Sequence, residues 1–194
     1  MSQALIIYGT TDGQTGKIAQ EIAKTFAAEG WQTSVVNANA SRDTRPEYFD
    51  RVVVAASVHV GGYQRAVGRW VRRHAAALNR IPSAFISVCL GVLEQRPEAQ
   101  REVHAIPERF FARTGWHPPV TQIVAGALPY TRYGWLTKLV MKRIAAKAGG
   151  DTDTTRDFEY TNWDELRSFV RGFALHEGTF APSSPSYDLR VARL

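Results

Sequence analysis

The chain has a single cysteine, Cys89, which excludes an intramolecular disulfide framework and any cysteine-based metal cluster. No metal-ligating cluster of another kind stands out, and no metal is expected. Apolar residues never run for the roughly 18 positions that a membrane-spanning helix needs. The start, MSQALIIYG, lacks the basic n-region and the apolar length of a secretory leader, so a cytoplasmic protein is expected. No internal repeat is found. Acidic residues are in deficit, 18 against 24 Lys and Arg, for a formal net charge of +6. That excess favours anionic partners: nucleic acid, an anionic membrane surface or an acidic small molecule. The 194 residues, 44% hydrophobic and 22% charged, suit one globular domain with a sizeable core.

Short apolar runs alternate with longer amphipathic ones. The pattern predicts strands at 3–8, 31–37, 51–57, 83–89 and 120–126, and helices at 15–29, 64–79, 99–114 and 162–176. Ile18, Ile22 and Phe26 recur every four residues in the first helix. The runs 51-RVVVAAS-57 and 83-SAFISVC-89 suit strands buried on both faces. Such alternation predicts an α/β doubly wound parallel sheet of five strands. Two regions break the pattern: a long insertion at about 127–157, before the last helix, and a Pro/Ser-rich tail, 178–194, expected to be poorly ordered. Residues 1–177 make the domain.

In such a sheet, ligands sit at the carboxyl ends of the strands. The first strand runs into 8-YGTTDGQTGKIA-19. Thr10, Thr11 and Thr15 offer hydroxyls, Gly13 allows close backbone approach, and the following helix presents N–H groups to an anion. A P-loop requires G-x-x-x-x-G-K-[ST], but Thr11 and Ile18 stand where glycine and a hydroxyl residue belong. The dinucleotide G-x-G-x-x-G spacing is also absent. What remains is the hydroxyl-rich loop of flavodoxins, Thr10, Thr11, Asp12, Gly13, Gln14 and Thr15, holding the monophosphate of FMN; the alternative is a polar helix start capped by Thr15. Two more strand ends open into glycine-containing loops that would bracket a flavin: Ser57, Val58, His59, Gly61 and Tyr63, and Val88, Cys89, Leu90 and Gly91. Tyr63 either packs on the ring or is a half-buried aromatic at a helix start. His59 reads as a polar loop residue ahead of a proton donor, and Cys89 as a small apolar filler.

Beyond those loops, the chain from about residue 4 to 176 resembles the menaquinone-dependent protoporphyrinogen IX dehydrogenases of bacterial haem synthesis, which are long flavodoxin-like proteins. The resemblance runs through 10-TTDGQT-15, 50-DRVVVAASV-58, 70-WVRRHAAALN-79, 82-PSAFISV-88, 124-VAGALPYTRYGW-135, 149-GGDTDTTRD-157 and 160-YTNW-163. The 124–135 and 149–157 segments are its most specific parts, and both lie in the insertion. Where the family often carries an Arg-Tyr pair, this chain has His59-Val60. The resemblance implies oxidation of protoporphyrinogen IX to protoporphyrin IX, with electrons passing through FMN to menaquinone or another quinone. It implies no catalytic nucleophile. Alternatives on the same fold are an NAD(P)H:quinone reductase and an electron-carrier flavodoxin; carriers are usually acidic, whereas this chain is basic.

Within the insertion, Tyr130, Arg132, Tyr133 and Trp135 follow the fifth strand and are candidate substrate contacts, with Arg132 suited to a propionate. The segment 133–150 reads as an amphipathic helix. Leu136, Leu139, Val140 and Ile144 form its apolar stripe, and Lys138, Lys142, Arg143 and Lys147 its basic one. It is either an interfacial helix on anionic lipid or a packing helix with solvated lysines. With the resemblance, the expected location is the inner face of the cell membrane, peripherally bound. Arg65, Arg69, Arg72 and Arg73 cluster on one side of the second helix. Without stacking aromatics or a recognition motif, they read as a solvated or phospholipid-facing surface, and no nucleic acid is expected.

Overall fold

A computed structural model describes residues 1–128, 130–132, 153–176 and 190–191. Five strands, β1 (Gln3–Gly9), β2 (Gln32–Asn37), β3 (Arg51–Ser57), β4 (Ser83–Val88) and β5 (Val120–Val124), pair in parallel in the order β2-β1-β3-β4-β5. This is the doubly wound order in which the chain reverses direction across the sheet between β1 and β3. Among the described residues, four helices flank the sheet: α1 (Gln14–Ala28), α2 (Arg65–Leu78), α3 (Pro97–Thr114) and α4 (Trp163–Leu175). The five predicted strands and the helices predicted at 15–29, 64–79, 99–114 and 162–176 are present, with ends displaced by two residues at most.

Strand alternation sorts the core into two layers. Ala4 and Ile6 of β1 join Ile18, Ile22 and Phe26 of α1 and Leu166, Val170 and Phe173 of α4. Their neighbours Leu5 and Ile7 face the other way, against Val67, Trp70 and Val71 of α2 and Phe111 of α3. The central strands β3 and β4 contribute to both layers, which is why they read as unbroken apolar runs.

The insertion is closed at its base by a feature not foreseen in the sequence. Strands β6 (Ala127–Leu128) and β7 (Phe158–Glu159) form a short antiparallel pair, Ala127 opposite Glu159 and Leu128 opposite Phe158. Two-residue strands carry too little pattern to be read from periodicity. The predicted amphipathic helix at 133–150 lies outside the described residues. Of the tail, Arg190–Val191 are described, as a further short parallel strand, β8, beside Gln122 and Ile123 of β5.

Candidate functional site

The strand register brings three of the predicted loops together. Gly9 of β1 is level with Ala56 of β3, and Ser57 of β3 with Val88 of β4. The chain leaves all three strands at one edge, at the reversal point. The loops 10–15, 57–63 and 88–91 are therefore neighbours, as a flavin site requires.

In the first loop, the Gly13 N–H donates to Thr10 Oγ1 at 2.8 Å, which folds the loop back on itself. Gly13 occupies the cap position of α1 with φ 95°, a left-handed conformation natural to glycine. The helix begins at Gln14, so Thr15 lies inside the first turn and is not the cap. Its Oγ1 is buried and has no hydrogen-bond partner. A buried hydroxyl left unsatisfied costs about 1–3 kcal/mol. No acidic residue occupies the first turn, so the positive end of the helix dipole is uncompensated there. An unused donor beside an uncapped helix start fits a phosphate monoester and leaves the polar-cap alternative without its capping bond.

Residues distant in sequence hold this loop. Gln64 Nε2 donates to Thr11 Oγ1 at 3.1 Å and to Ser57 Oγ at 2.7 Å, bridging the first and second loops. A Cβ on Gly9 would lie 2.4 Å from Val67 Cγ2, so glycine is what lets the start of α2 lie against β1. Gln14 Nε2 donates to Thr161 Oγ1 at 3.0 Å, and that hydroxyl donates to the Ala125 carbonyl at 2.8 Å. Lys17 pairs with Glu159 at 3.0 Å. The Gln14 side chain is thus engaged in bracing, which leaves its backbone N–H to face a ligand. Gln64, Thr161 and Glu159 were missed by sequence reasoning, since nothing local signals a contact across 53 or 147 positions.

The second loop is a tight hairpin. His59 and Gly62 exchange backbone hydrogen bonds at 2.7 and 3.2 Å, and the two central residues, Val60 and Gly61, have φ 48° and 71°. That is the geometry of a type I′ turn, in which a β-branched residue is strained. His59 is exposed and Val58 half-buried. The Tyr63 hydroxyl is 2.7 Å from Ser87 Oγ, and its ring meets Phe85 and Phe110 edge-on. Burial raises its pKa, so it remains a neutral phenol. In the third loop, Val88 is buried, Leu90 and Gly91 enter a 3-10 turn, and burial also raises the pKa of the Cys89 thiol. Cys89 packs with Val103 and Ile123 as a small apolar side chain.

The candidate substrate cluster is only partly described. Tyr130 has no exposed surface. It packs with Leu128 against Leu90, Phe158 and Tyr160, and it braces the 3-10 turn Tyr130–Arg132 rather than facing a ligand. Thr131 anchors that turn to Asp157 through its N–H at 2.9 Å and its hydroxyl at 2.8 Å. The Arg132 side chain, Tyr133 and Trp135 lie outside the described residues. No group of acidic, histidine or cysteine side chains suited to a metal ion occurs among the described residues.

Residues 5–155 match the Flavodoxin_5 family, a flavodoxin domain. The protoporphyrinogen IX dehydrogenase (quinone) of Escherichia coli strain K12 is 36% identical over 173 residues, spanning 89% of this chain and 94% of its own. The protein of the same name in Leishmania major is 31% identical over 174 residues, 89% of this chain and 74% of its own. Among solved structures, oxidised flavodoxin 1 of Bacillus cereus superposes with a TM-score of 0.56 at 12% identity, over 91% of this chain and all of that one.

Proposed function

The chain belongs to the flavodoxin family, and on that premise we propose that it is an FMN-dependent oxidoreductase that oxidises protoporphyrinogen IX to protoporphyrin IX and reduces a quinone. The substrate and acceptor follow the names of the two dehydrogenases it resembles over most of its length. The observation that carries the cofactor assignment is the buried, unpartnered Thr15 hydroxyl in the first turn of α1, at the reversal point of the sheet.

Thr10, Thr11 and Thr15, with the backbone of Asp12–Thr15, hold the phosphate. Backbone groups of Ser57–Gly61 and Val88–Gly91 line the ring site. Bound FMN would supply the two-electron redox capacity that side chains lack, used repeatedly, with a fresh quinone each time, until the macrocycle is fully oxidised. The protein's part is to hold, orient and exclude water. Arg132, carried on the turn beyond β5, meets a propionate of the macrocycle, with Tyr133 and Trp135 beside it. The finer reading is menaquinone as acceptor, with the protein bound peripherally to a membrane. Among the described residues no helix is long and apolar enough to cross one.

The test is an anaerobic assay of the purified protein: flavin absorbance first, then porphyrin fluorescence from protoporphyrinogen with and without a soluble quinone. Quinone-dependent porphyrin formation is expected. No turnover, or rapid reduction of the flavin by NADH instead, sinks the proposal. Arg132→Ala should lower kcat/KM by roughly 10- to 150-fold with flavin still bound, the effect of one lost charge-assisted hydrogen bond. Lysine at this position should restore only part, because it lacks the planar fork.

A further inference from the structure

Two features lie beside the cofactor loops and take no part in the phosphate site or in the turn at Arg132. The first is a groove between α2 and α3, about 840 Å³ including its open mouth. Arg65, Arg69 and Arg72 line one side, and Arg109 and Arg113 the other. Along α2 these cations recur at about 6 and 10 Å from the first, from the helical rise. The helix carries no acidic residue anywhere in Arg65–Leu78. An arginine also stands at its first position, where the helix dipole favours an anion. Arg109 is paired with Glu102, but Arg65, Arg69, Arg72 and Arg113 have no carboxylate partner among the described residues. Like charges at these spacings, and facing each other across a groove, repel unless an anion lies between them. The floor is apolar: glycine at 68 leaves the half-buried Phe110 ring open to the groove.

The second feature adjoins the first. Gly61 and Gly62 form the upper wall of the groove, and Val60 beside them is the hairpin tip. Val60 is 95% exposed, in a left-handed conformation that strains a β-branched side chain. An apolar residue held out into solvent beside an array of arginines has the chemistry of a bilayer interface: acyl chains for the one, headgroup phosphates for the other.

We propose that the α2/α3 arginine face and the Val60 tip form the surface by which this protein docks on an anionic phospholipid bilayer. The inference rests on the quinone-reducing function above, because a long-chain quinone dissolves in that bilayer. The wall Gly61–Gln64 is common to the groove and to the loop beside the flavin site. Docking through it turns the ring edge toward the lipid that holds the acceptor.

The experiment uses the full chain with FMN bound. Co-sedimentation is measured with vesicles of equimolar phosphatidylcholine and phosphatidylglycerol, and with phosphatidylcholine alone. Wild type should bind the anionic vesicles only, and less as salt rises. Arg69→Glu with Arg113→Glu should lower the partition coefficient at least about tenfold. Val60→Gly relieves the backbone strain, so it folds, and should weaken binding a few-fold. Lys24→Glu, on the opposite face, should bind as wild type does. Flavin absorbance and thermal midpoint check that each variant is folded. The variant with Arg69→Glu and Arg113→Glu should keep turnover with a soluble quinone and lose it with quinone embedded in the vesicles. Equal sedimentation of wild type and the double arginine variant overturns the inference, as does binding to neutral vesicles alone or tighter binding to a single-stranded RNA homopolymer. Absence of porphyrinogen oxidation with soluble quinone would remove the dehydrogenase function instead, a result sedimentation does not depend on.

Discussion

The two helical layers use the same kind of charge in opposite ways. On the α1/α4 side, cations are matched. Arg167 of α4 meets Glu21 of α1 at 2.9 Å and Asp164 at 2.7 Å, Arg171 meets Glu29 at 2.8 Å, and Lys17 meets Glu159. These pairs tie α4 to α1, and α1 to the strand that closes the insertion. On the α2/α3 side, α2 has four arginines and no acid. Among the described helices, the positive excess therefore lies on α2, whose arginines have no carboxylate partner; Arg72 Nε donates instead to the Arg113 carbonyl of α3 at 3.4 Å. A face that neutralises its charges internally has little left for a partner, whereas one that leaves them open carries a long-range field.

Four perturbations test that contrast. The largest expected effect removes one aromatic from each layer. Phe26 meets Trp31 and Phe173 edge-on, while Phe85 contacts Tyr63, Phe110, Phe111 and Trp116. Either change to Ala should cost about 3–5 kcal/mol by urea denaturation, with Phe85→Ala the greater because more ring pairs are lost. Equal losses would mean the two layers are held alike despite their different charge patterns.

Next in size is Thr15→Val, at the end of α1 nearest the ligand edge. It removes a donor from the phosphate and should weaken FMN binding by about 1–3 kcal/mol in a fluorescence titration. In the FMN-free protein the same change deletes an unsatisfied buried hydroxyl, so the thermal midpoint should hold or rise. A fall in both quantities would make Thr15 a structural residue of the paired face rather than a ligand contact.

Mild acid should act on the unpaired face first. His74 of α2 packs on Trp70 with ring centroids 5.0 Å apart, and burial lowers its pKa below 6.5, against an opposing pull from Glu47. The unfolded chain thus binds the proton more readily. Stability is present above pH 6.5 and falls as pH drops from there through the lowered folded-state value. On the paired face, Glu159 has its pKa lowered: burial opposes the shift, and hydrogen bonds from Lys17 and Trp163 outweigh it. Its contribution is present above the ordinary carboxylate range and is lost only as pH falls through the depressed value. Thermal midpoints of wild type and His74→Gln between neutral and mildly acidic pH should diverge. Parallel curves would exclude His74 as the cause.

The smallest effect is electrostatic. Glu21→Gln breaks the partly exposed pair with Arg167 and should cost up to about 1 kcal/mol. Arg69→Gln should be neutral or slightly stabilising, because it removes repulsion. A measurable loss from Arg69→Gln would show that the open face has a hidden internal partner.

Much of the fold was legible because strand and helix periods and unbroken apolar runs are local properties. The phosphate loop was legible for the same reason, being one contiguous segment between a strand and a helix. What surrounds it was not. Gln64 and Thr161 reach the loop from far along the chain, and their spacing has no periodic signature. Arg51 reads as a charged strand start, yet its guanidinium lies 5.2 Å from both the Trp31 and Phe173 rings. Tyr130 reads as a ligand-facing aromatic and is fully buried.

By itself, the sequence determined the alternation of strands and helices, the hydroxyl-rich loop after the first strand and the one-sided run of arginines, because each depends on neighbours within a few positions. Only the tertiary structure decided which side chains those features meet. Parallel strands bring together loops separated by dozens of residues, and packing α2 beside α3 turns scattered arginines into facing walls. The physical reason is that pairing, burial and repulsion depend on distance in space, which the chain specifies only once the sheet has been assembled.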